Sequence, residues 1–342
     1  MSTATASIPV THTTASRFSE QLRDTAAFGA VFSDHALVAD YVDGKWTDPV
    51  IVPYGPQALA IAPSVAHYGQ GIFEGFKAYP RTDGIAAMYR PDANHARLNR
   101  SAARMAMPEM PASTFIDGAA ALVRLDRQWI PTKPGGALYI RPVMFATGEP
   151  LGVRPSETYR FVIETCPTGP YFAGAVDLLA EDHYVRACPG GTGEAKCAGN
   201  YAGSMVAARE AQARGFHHVL WLDAIERKFV EEAGVMNVGF VIDGTFITPP
   251  LAGTILPGIT RDSVLVLMRD AGVPVEERRI SIDEVFEAHA AGRLQAAAGI
   301  GTAATIAPLG RLHYKGTEIT CPALAPDSPL ARVAAMLDGI HP

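Results

Sequence analysis

The sequence predicts an α+β protein of two domains, and three observations predict it. Its 342 residues exceed the span of one typical domain. Apolar and polar residues alternate around Asp43-Gly44 and again around Asp243-Gly244, which places a hairpin in each half of the chain. Helical spacing adds to these strands, so that the first half reads as an antiparallel sheet carrying two helices and the second as mixed α and β.

Taken in order, "ALVADYVDGKWTDPVIVPYG" is the first hairpin and "IAAMYR" a further strand. "PDANHARLNRSAARMAM" changes to helical spacing, with Leu98, Ala102 and Met105 on one face. "ASTFIDGAAALVRLDRQWI" reads as a second helix, and "GALYIRPVMFAT" and "YRFVIETCP" as buried strands rich in β-branched and aromatic residues. The expected small N-terminal domain, residues 1–165, is thus an antiparallel sheet carrying two helices, with residues up to about 25 as an irregular arm. Residues 166–176, rich in Gly and Pro and without periodicity, are the expected linker. In the expected large C-terminal domain, residues 177–342, "SMVAAREAQARG" is a helix ending on Gly215. There "HHVLWLDA" is a buried strand and "VGFVIDGTFITPP" the second hairpin. Pro257-Gly258 turns the chain into a helix that begins near Thr260, and "SIDEVFEAHAAG" opens with a capping box of Ser281 and Glu284.

Composition narrows the function. A hydrophobic fraction of 48% and a charged fraction of 19% are those of a folded globular chain. A net charge of −6, with no run of lysine or arginine, argues against nucleic acid as a partner. The N-terminal segment lacks the basic flank and apolar stretch of a signal peptide, and no apolar run is long enough to span a bilayer, so no membrane partner is expected. Cys166, Cys188, Cys197 and Cys321 form neither a CxxC pair nor a metal-ligand cluster. A reduced cytoplasmic protein without a metal is the expectation.

One lysine stands out. Lys196 sits in "GTGEAKCAGNYAGS" among small residues, where burial would disfavour the ammonium and leave the neutral amine that a Schiff base needs. An exposed loop lysine is the blander account of the same segment. A phosphate-binding P-loop is rejected, because Ala195 and Cys197 stand where that motif requires Gly and Ser or Thr.

Around Lys196, the segments "HYGQGIFEGFKAY", "ALYIRP", "YVRACPGGTGEAKCAGNY", "FVEEAGVMN", "LPGITRD" and "GIGTAAT" occur in an order and spacing that closely resemble the branched-chain amino-acid aminotransferases. The resemblance runs from about Phe28 to Tyr314. It implies a two-domain fold type IV pyridoxal-phosphate enzyme, like D-amino-acid aminotransferase, with the cofactor where the domains meet. It makes Lys196 the Schiff-base lysine and proton shuttle, Glu232 the carboxylate on the pyridine nitrogen, and Tyr201 the phenol on the cofactor's O3′. Arg97, the backbone amides of Ile259 and Thr260, and the Thr302 hydroxyl would hold the phosphate. On the substrate side the resemblance implies Tyr68, Tyr139 and Arg141, the last taking the distal carboxylate of glutamate or 2-oxoglutarate. Phe32, Phe73, Val235, Met236 and Ala303 fall in matching substrate-binding segments, and Lys77 in one without a definite role.

Some positions depart from the family pattern. Val238-Gly239 replaces the usual Leu-Phe, and Ala296, Ala297, Ala298 and Ile300 stand where larger or acidic groups are common, so a reshaped pocket or dimer edge is expected. Ala304 and Ala307 occupy the places of the redox CxxC of animal members. Cys197 reads as a small buried packing residue. The resulting expectation is a homodimeric, pyridoxal-phosphate-dependent transaminase of L-leucine, L-isoleucine and L-valine, working with 2-oxoglutarate by a ping-pong mechanism. A specialised-metabolism paralogue acting on an unusual branched or aromatic amino acid beside a partner isomerase is the alternative, followed by a non-catalytic scaffold of the same fold.

Overall fold

A computed structural model describes residues 8–81, 86–169, 174–303 and 305–340. Of the expected linker, residues 170–173 lie outside this set, as does Ala304. The described residues group into two compact units, one formed by those up to Gly169 with Ala195–Ala198, the other by the remainder.

In the first unit the strands are β1 (His35–Val42), β2 (Lys45–Trp46), β3 (Val50–Pro53), β4 (Gly71–Phe73), β5 (Phe76–Pro80), β6 (Ala86–Met88), β7 (Ala137–Ala146) and β8 (Tyr159–Thr168). They form an eight-stranded sheet among the described residues, in the order β2-β1-β8-β7-β5-β6, with β3 paired to β1 and β4 to β7. All its pairings are antiparallel. The β1–β2 turn carries Asp43 at φ 52° and Gly44 at φ 76°, the two left-handed residues that a tight hairpin with the native strand twist requires.

The helices of this unit are α1 (Glu20–Thr25), α2 (Ser64–Tyr68), α3 (Pro91–Arg104) and α4 (Gly118–Leu125). Helix α3 turns Leu98 and Ala102 into a core built with Leu37, Ile72, Phe76 and Ile140 of the sheet. The second expected helix is broken into three pieces: a π turn over Ser113–Asp117, then α4, then a 3-10 turn over Arg127–Trp129. Phe115, Leu122 and Trp129 all reach the core from this path, and their seven-residue spacing keeps them on one side of it.

The second unit contains β9 (Val176–Glu181), β10 (His218–Leu222), β11 (Val230–Ala233), β12 (Asn237–Ile242), β13 (Thr245–Thr248), β14 (Val275–Glu277), β15 (Leu294–Gly301), β16 (Thr305–Tyr314) and β17 (Thr317–Thr320). Its helices are α5 (Ala198–Ala202), α6 (Met205–Ala213), α7 (Ile259–Asp270), α8 (Ile282–Ala290) and α9 (Pro329–Ile340). The strands make one mixed sheet in the order β11-β10-β9-β16-β15-β12-β13-β14, with β17 on β16. The pairs β9–β10, β9–β16 and β13–β14 are parallel. Ser281 caps α8 by accepting from Glu284 N at 3.0 Å, whereas the Glu284 carboxylate pairs with Arg278 at 2.6 Å. Among the described residues no helix is long and apolar enough to cross a membrane.

The small residues that depart from the family pattern lie in the core of this unit. Ala296, Ala298 and Ile300 point from β15 toward Val264, Leu265 and Met268 of α7 and Leu330, Val333 and Leu337 of α9. Ala297 faces the other way, into the cluster with Val285 and Ala288 of α8. A Cβ at Gly239 would overlap the ring of Phe246. The expected reshaping of a pocket therefore does not arise from these positions: helices and an aromatic ring of the same unit take up the space. Adding a methyl group there forces the ring aside, so Gly239→Ala should lower the unfolding free energy by about 1–3 kcal/mol in chemical denaturation, less in a Phe246→Leu background.

Candidate active site

The first unit holds Lys196, Arg97, Phe32, Tyr68, Phe73, Tyr139 and Arg141. Lys196 is carried by a short extended segment whose flanking residues, Ala195 and Cys197, are buried in the first unit's core. Ser101 Oγ accepts from Lys196 N at 3.0 Å, and Lys196 O accepts from Phe73 N at 3.0 Å, so both backbone groups of the lysine are tied to α3 and β4. Ile72 and Cys197 complete the bridge. The side chain is half-buried rather than buried, with Nζ 4.8 Å from the centroid of the Phe73 ring. Cys197 is a buried packing residue, 1% exposed.

Arg97 is not a solvated helix residue but lies buried in α3. Glu74, fully buried, takes its guanidinium side-on, with Nε to Oε1 at 2.7 Å and Nη2 to Oε2 at 2.9 Å. The acid's presence could not be read from spacing, because the partners lie on different elements and only burial demands the pairing.

Tyr139, Arg141 and Phe73 form a cluster. The Arg141 guanidinium lies 4.8 Å from the Phe73 ring centroid and 5.3 Å from that of Tyr139, and Nη2 donates to the Tyr139 hydroxyl at 3.2 Å. Its Nε is buried and has no hydrogen-bond partner among the described residues. Burial works against the Arg141 charge, but Tyr139, Glu164 and Cys166 outweigh it and hold its pKa above the ordinary value. Glu164, opposite Arg141 in the β7–β8 register, is pushed up by burial despite the nearby cation. Phe28 packs edge-on against Tyr139 at 4.9 Å, and Phe32 stacks on Tyr54 at 4.8 Å. Tyr68 stands more apart: it is 41% exposed, and its hydroxyl accepts from Gly152 N at 2.8 Å. Lys77 is buried on β5, in register with Tyr139.

The second unit holds Tyr201, Glu232, Val235, Met236, Ile259, Thr260, Thr302 and Ala303. Glu232, 2% exposed, is the most closely held. Arg186 Nε meets its Oε2 at 2.6 Å, Leu256 N donates to Oε1 at 2.9 Å, and Asn237 Nδ2 approaches Oε1 at 3.4 Å while donating to Leu256 O at 3.0 Å. Arg186 also donates from Nη1 to Thr254 O at 2.8 Å, which fixes the turn 254–258. That turn feeds α7, whose N-cap, Gly258, supplies no side-chain cap to the first-turn amides. A Cβ at Gly258 would overlap Asn237 Oδ1, so the turn packs directly on the asparagine. Ile259 and Thr260 thus begin the helix where a helix N-terminus favours an anion.

Tyr201 lies in α5, half-buried, with Val235 half-exposed and Gly234 nearby around a small cleft that Arg186 and Asn200 also line. Met236 is buried beneath Gly299 and Gly301 of β15, and Thr302 and Ala303 follow that strand, both partly exposed. Arg186, Asn237, Thr254, Ser101 and Glu74 are the residues that sequence reasoning missed. Glu74, Arg186 and Asn237 stood within the quoted motifs, and the one available signal was that a buried charge needs a partner of opposite sign.

Two sheet-bearing units of this kind are the fold of the class IV aminotransferases. The chain belongs to that family: the amino-transferase class IV family matches residues 71–306. Branched-chain-amino-acid transaminase 1 of Bacillus subtilis (strain 168) is 48% identical to it over 85% of this chain and 83% of that protein. The branched-chain-amino-acid aminotransferase of Mycobacterium tuberculosis is 46% identical over 87% of this chain and 84% of that one. Among solved structures, the branched-chain amino acid aminotransferase of Escherichia coli shares the fold with a TM-score of 0.72 at 24% identity, covering 89% of this chain and 94% of that one. The resemblance read from the motifs is borne out.

Glu74 pairs side-on with a buried arginine, and breaking such a pair is costly, so Glu74→Ala should cost about 3–5 kcal/mol of stability, measured as a fall in the denaturation midpoint. The exposed Arg293–Asp243 pair provides the control: Arg293→Ala there should cost under about 1 kcal/mol from the lost pair.

Proposed function

We propose that this chain is a pyridoxal 5′-phosphate-dependent transaminase that exchanges the amino groups of L-leucine, L-isoleucine and L-valine with 2-oxoglutarate by a ping-pong mechanism. The observation that carries the reading is the identity, over most of the chain, to relatives named for branched-chain amino-acid transamination. The residues present suit the cofactor. A buried acceptor at Glu232 fits a protonated ring nitrogen, and the N-terminus of α7, whose N-cap is a glycine, fits a phosphate.

When bound, pyridoxal phosphate supplies an electron-withdrawing ring that stabilises negative charge at the substrate Cα. Lys196 holds the cofactor through Nζ and moves the proton at that carbon; the ties of its backbone to Ser101 and Phe73 keep the amine in place. Glu232, oriented by Arg186 and Leu256 N, would keep the ring nitrogen protonated, and Tyr201 would hold the ring oxygen. Arg97, Ile259, Thr260 and Thr302 take the phosphate. Because Glu74 already balances Arg97, the helix amides carry much of that anion's stabilisation.

Phe32, Tyr68, Phe73, Tyr139, Val235, Met236 and Ala303 bound the aliphatic side chain, and Arg141 takes the second carboxylate of glutamate. The orphaned Nε of Arg141 supports its role as a donor to an incoming acid. The reading includes a homodimer in the cytoplasm and domains at 1–165 and 177–342 joined by 166–176. The small residues at 239 and 296–298 lie in the core, which removes the feature that favoured a specialised substrate.

Turnover of L-leucine, L-isoleucine and L-valine with 2-oxoglutarate, followed as glutamate formed, should proceed at rates within about tenfold of one another, a spread matching what one methylene in an apolar pocket is worth. Lys196→Ala should abolish it together with the yellow colour of the purified protein. Retained turnover in that variant would refute the assignment.

A further inference from the structure

Next to Glu232 in the chain, Glu231 is also buried, and nothing in the transaminase reading uses it. Successive strand residues face opposite ways, so while Arg186 and Leu256 hold Glu232, Glu231 lines a separate cavity of about 290 Å3 in the second unit. Its apolar wall is made by Ile225, Phe229, Pro249, Pro250 and Ile255. Thr254 Oγ1 donates to Glu231 Oε1 at 2.6 Å, but Oε2 is buried and has no hydrogen-bond partner among the described residues. The residue is 8% exposed, and burial pushes its carboxyl pKa up, although Thr254 and the charges of Arg186 and Arg279 oppose the shift.

The other charged groups of the cavity are already engaged. Asp223 Oδ1 accepts from the amides of Lys228 and Phe229, and its Oδ2 from those of Ile225 and Glu226. Arg279 pairs with Glu226 at 2.8 Å and lies flat on Phe229, its guanidinium carbon 3.4 Å from the ring centroid. With Asp223, Glu226 and Glu231 set against Arg279, the cavity has an excess of negative charge. Its polar need is concentrated at one buried carboxyl oxygen, and the walls around it are aliphatic. The chemical complement is a compact cation with several donors on an apolar body.

We propose that this cavity binds a small aliphatic primary amine, with its ammonium donating to Glu231 and its hydrocarbon chain lying against Pro249, Pro250 and Ile255. The ammonium satisfies the orphaned oxygen and balances the acidic excess, while the aliphatic body removes apolar wall from water. A neutral alcohol of the same shape keeps the second gain and loses the first. This proposal does not depend on the transaminase reading.

The test is calorimetric titration of 3-methylbutylamine into the full-length protein, beside 3-methylbutan-1-ol and two variants. Glu231→Gln removes the charge, and Ala224→Trp, at the partly exposed rim, plugs the cavity without touching the buried carboxyl. Saturable one-site binding of the amine to the wild type is expected, at least tenfold weaker for the alcohol and for each variant. Absence of saturable binding to the wild type would show a cavity filled by water alone and overturn the proposal. So would binding that persists unchanged in both variants, because it would place the amine elsewhere, including at Lys196.

Discussion

A carboxylate removed from water has to be met on every side, and the second unit is arranged around meeting one. Glu232 receives a charged partner from Arg186, a backbone amide from Leu256 and a side-chain amide from Asn237. Each of these belongs to a different stretch of chain, so satisfying the acid also fixes the loop after β9, the turn before α7 and the start of β12. The geometry of the helix N-terminus is thus a consequence of a buried charge rather than of a local cap. Arg186 extends the arrangement through Thr254, whose carbonyl it holds and whose hydroxyl holds Glu231. Two adjacent acids on one short strand are coupled in this way although their side chains serve different surroundings.

The first unit solves a comparable problem for cations. Arg97 is neutralised within the core by Glu74, while Lys196 is positioned by its backbone: the neighbours on both sides are buried and both of its peptide groups are bonded. Pinning the chain on either side of this lysine fixes the base of its side chain. Arg141 has a third arrangement, with the Phe73 and Tyr139 rings close to its guanidinium and one nitrogen without a hydrogen-bond partner among the described residues. Rings of this kind stabilise the cation without a carboxylate in hydrogen-bond contact.

The elements legible in the sequence were those with local causes. Both Asp-Gly hairpins, the Ser281 cap and the periodic face of α3 follow from residues close together in the chain, and they fold as that chemistry requires. The broken path over residues 113–129 was not legible, because Phe115, Leu122 and Trp129 recur every seven residues, as they would along one unbroken helix. The ordered motifs were enough to identify the family, which matches residues 71–306. What they could not give was the pairing of Glu74 with Arg97 or of Arg186 with Glu232, where burial creates the demand and only the fold brings the partners together. The alanines of β15 misled for a related reason: smallness in a sequence reads as space, whereas here α7 and α9 fill it.

The central claim is that the buried charge of Glu232 serves the reaction as well as the fold. Glu232→Gln keeps the shape and the hydrogen bond from Leu256 N while removing that charge. The direct measurement is the single-turnover rate constant for L-leucine in this variant against the wild type, under conditions where both are folded. A fall of about 100-fold or more is predicted, the scale expected when a positioned group no longer controls a proton in the reaction. A rate constant equal to that of the wild type would show that Glu232 is structural only and contradict the account.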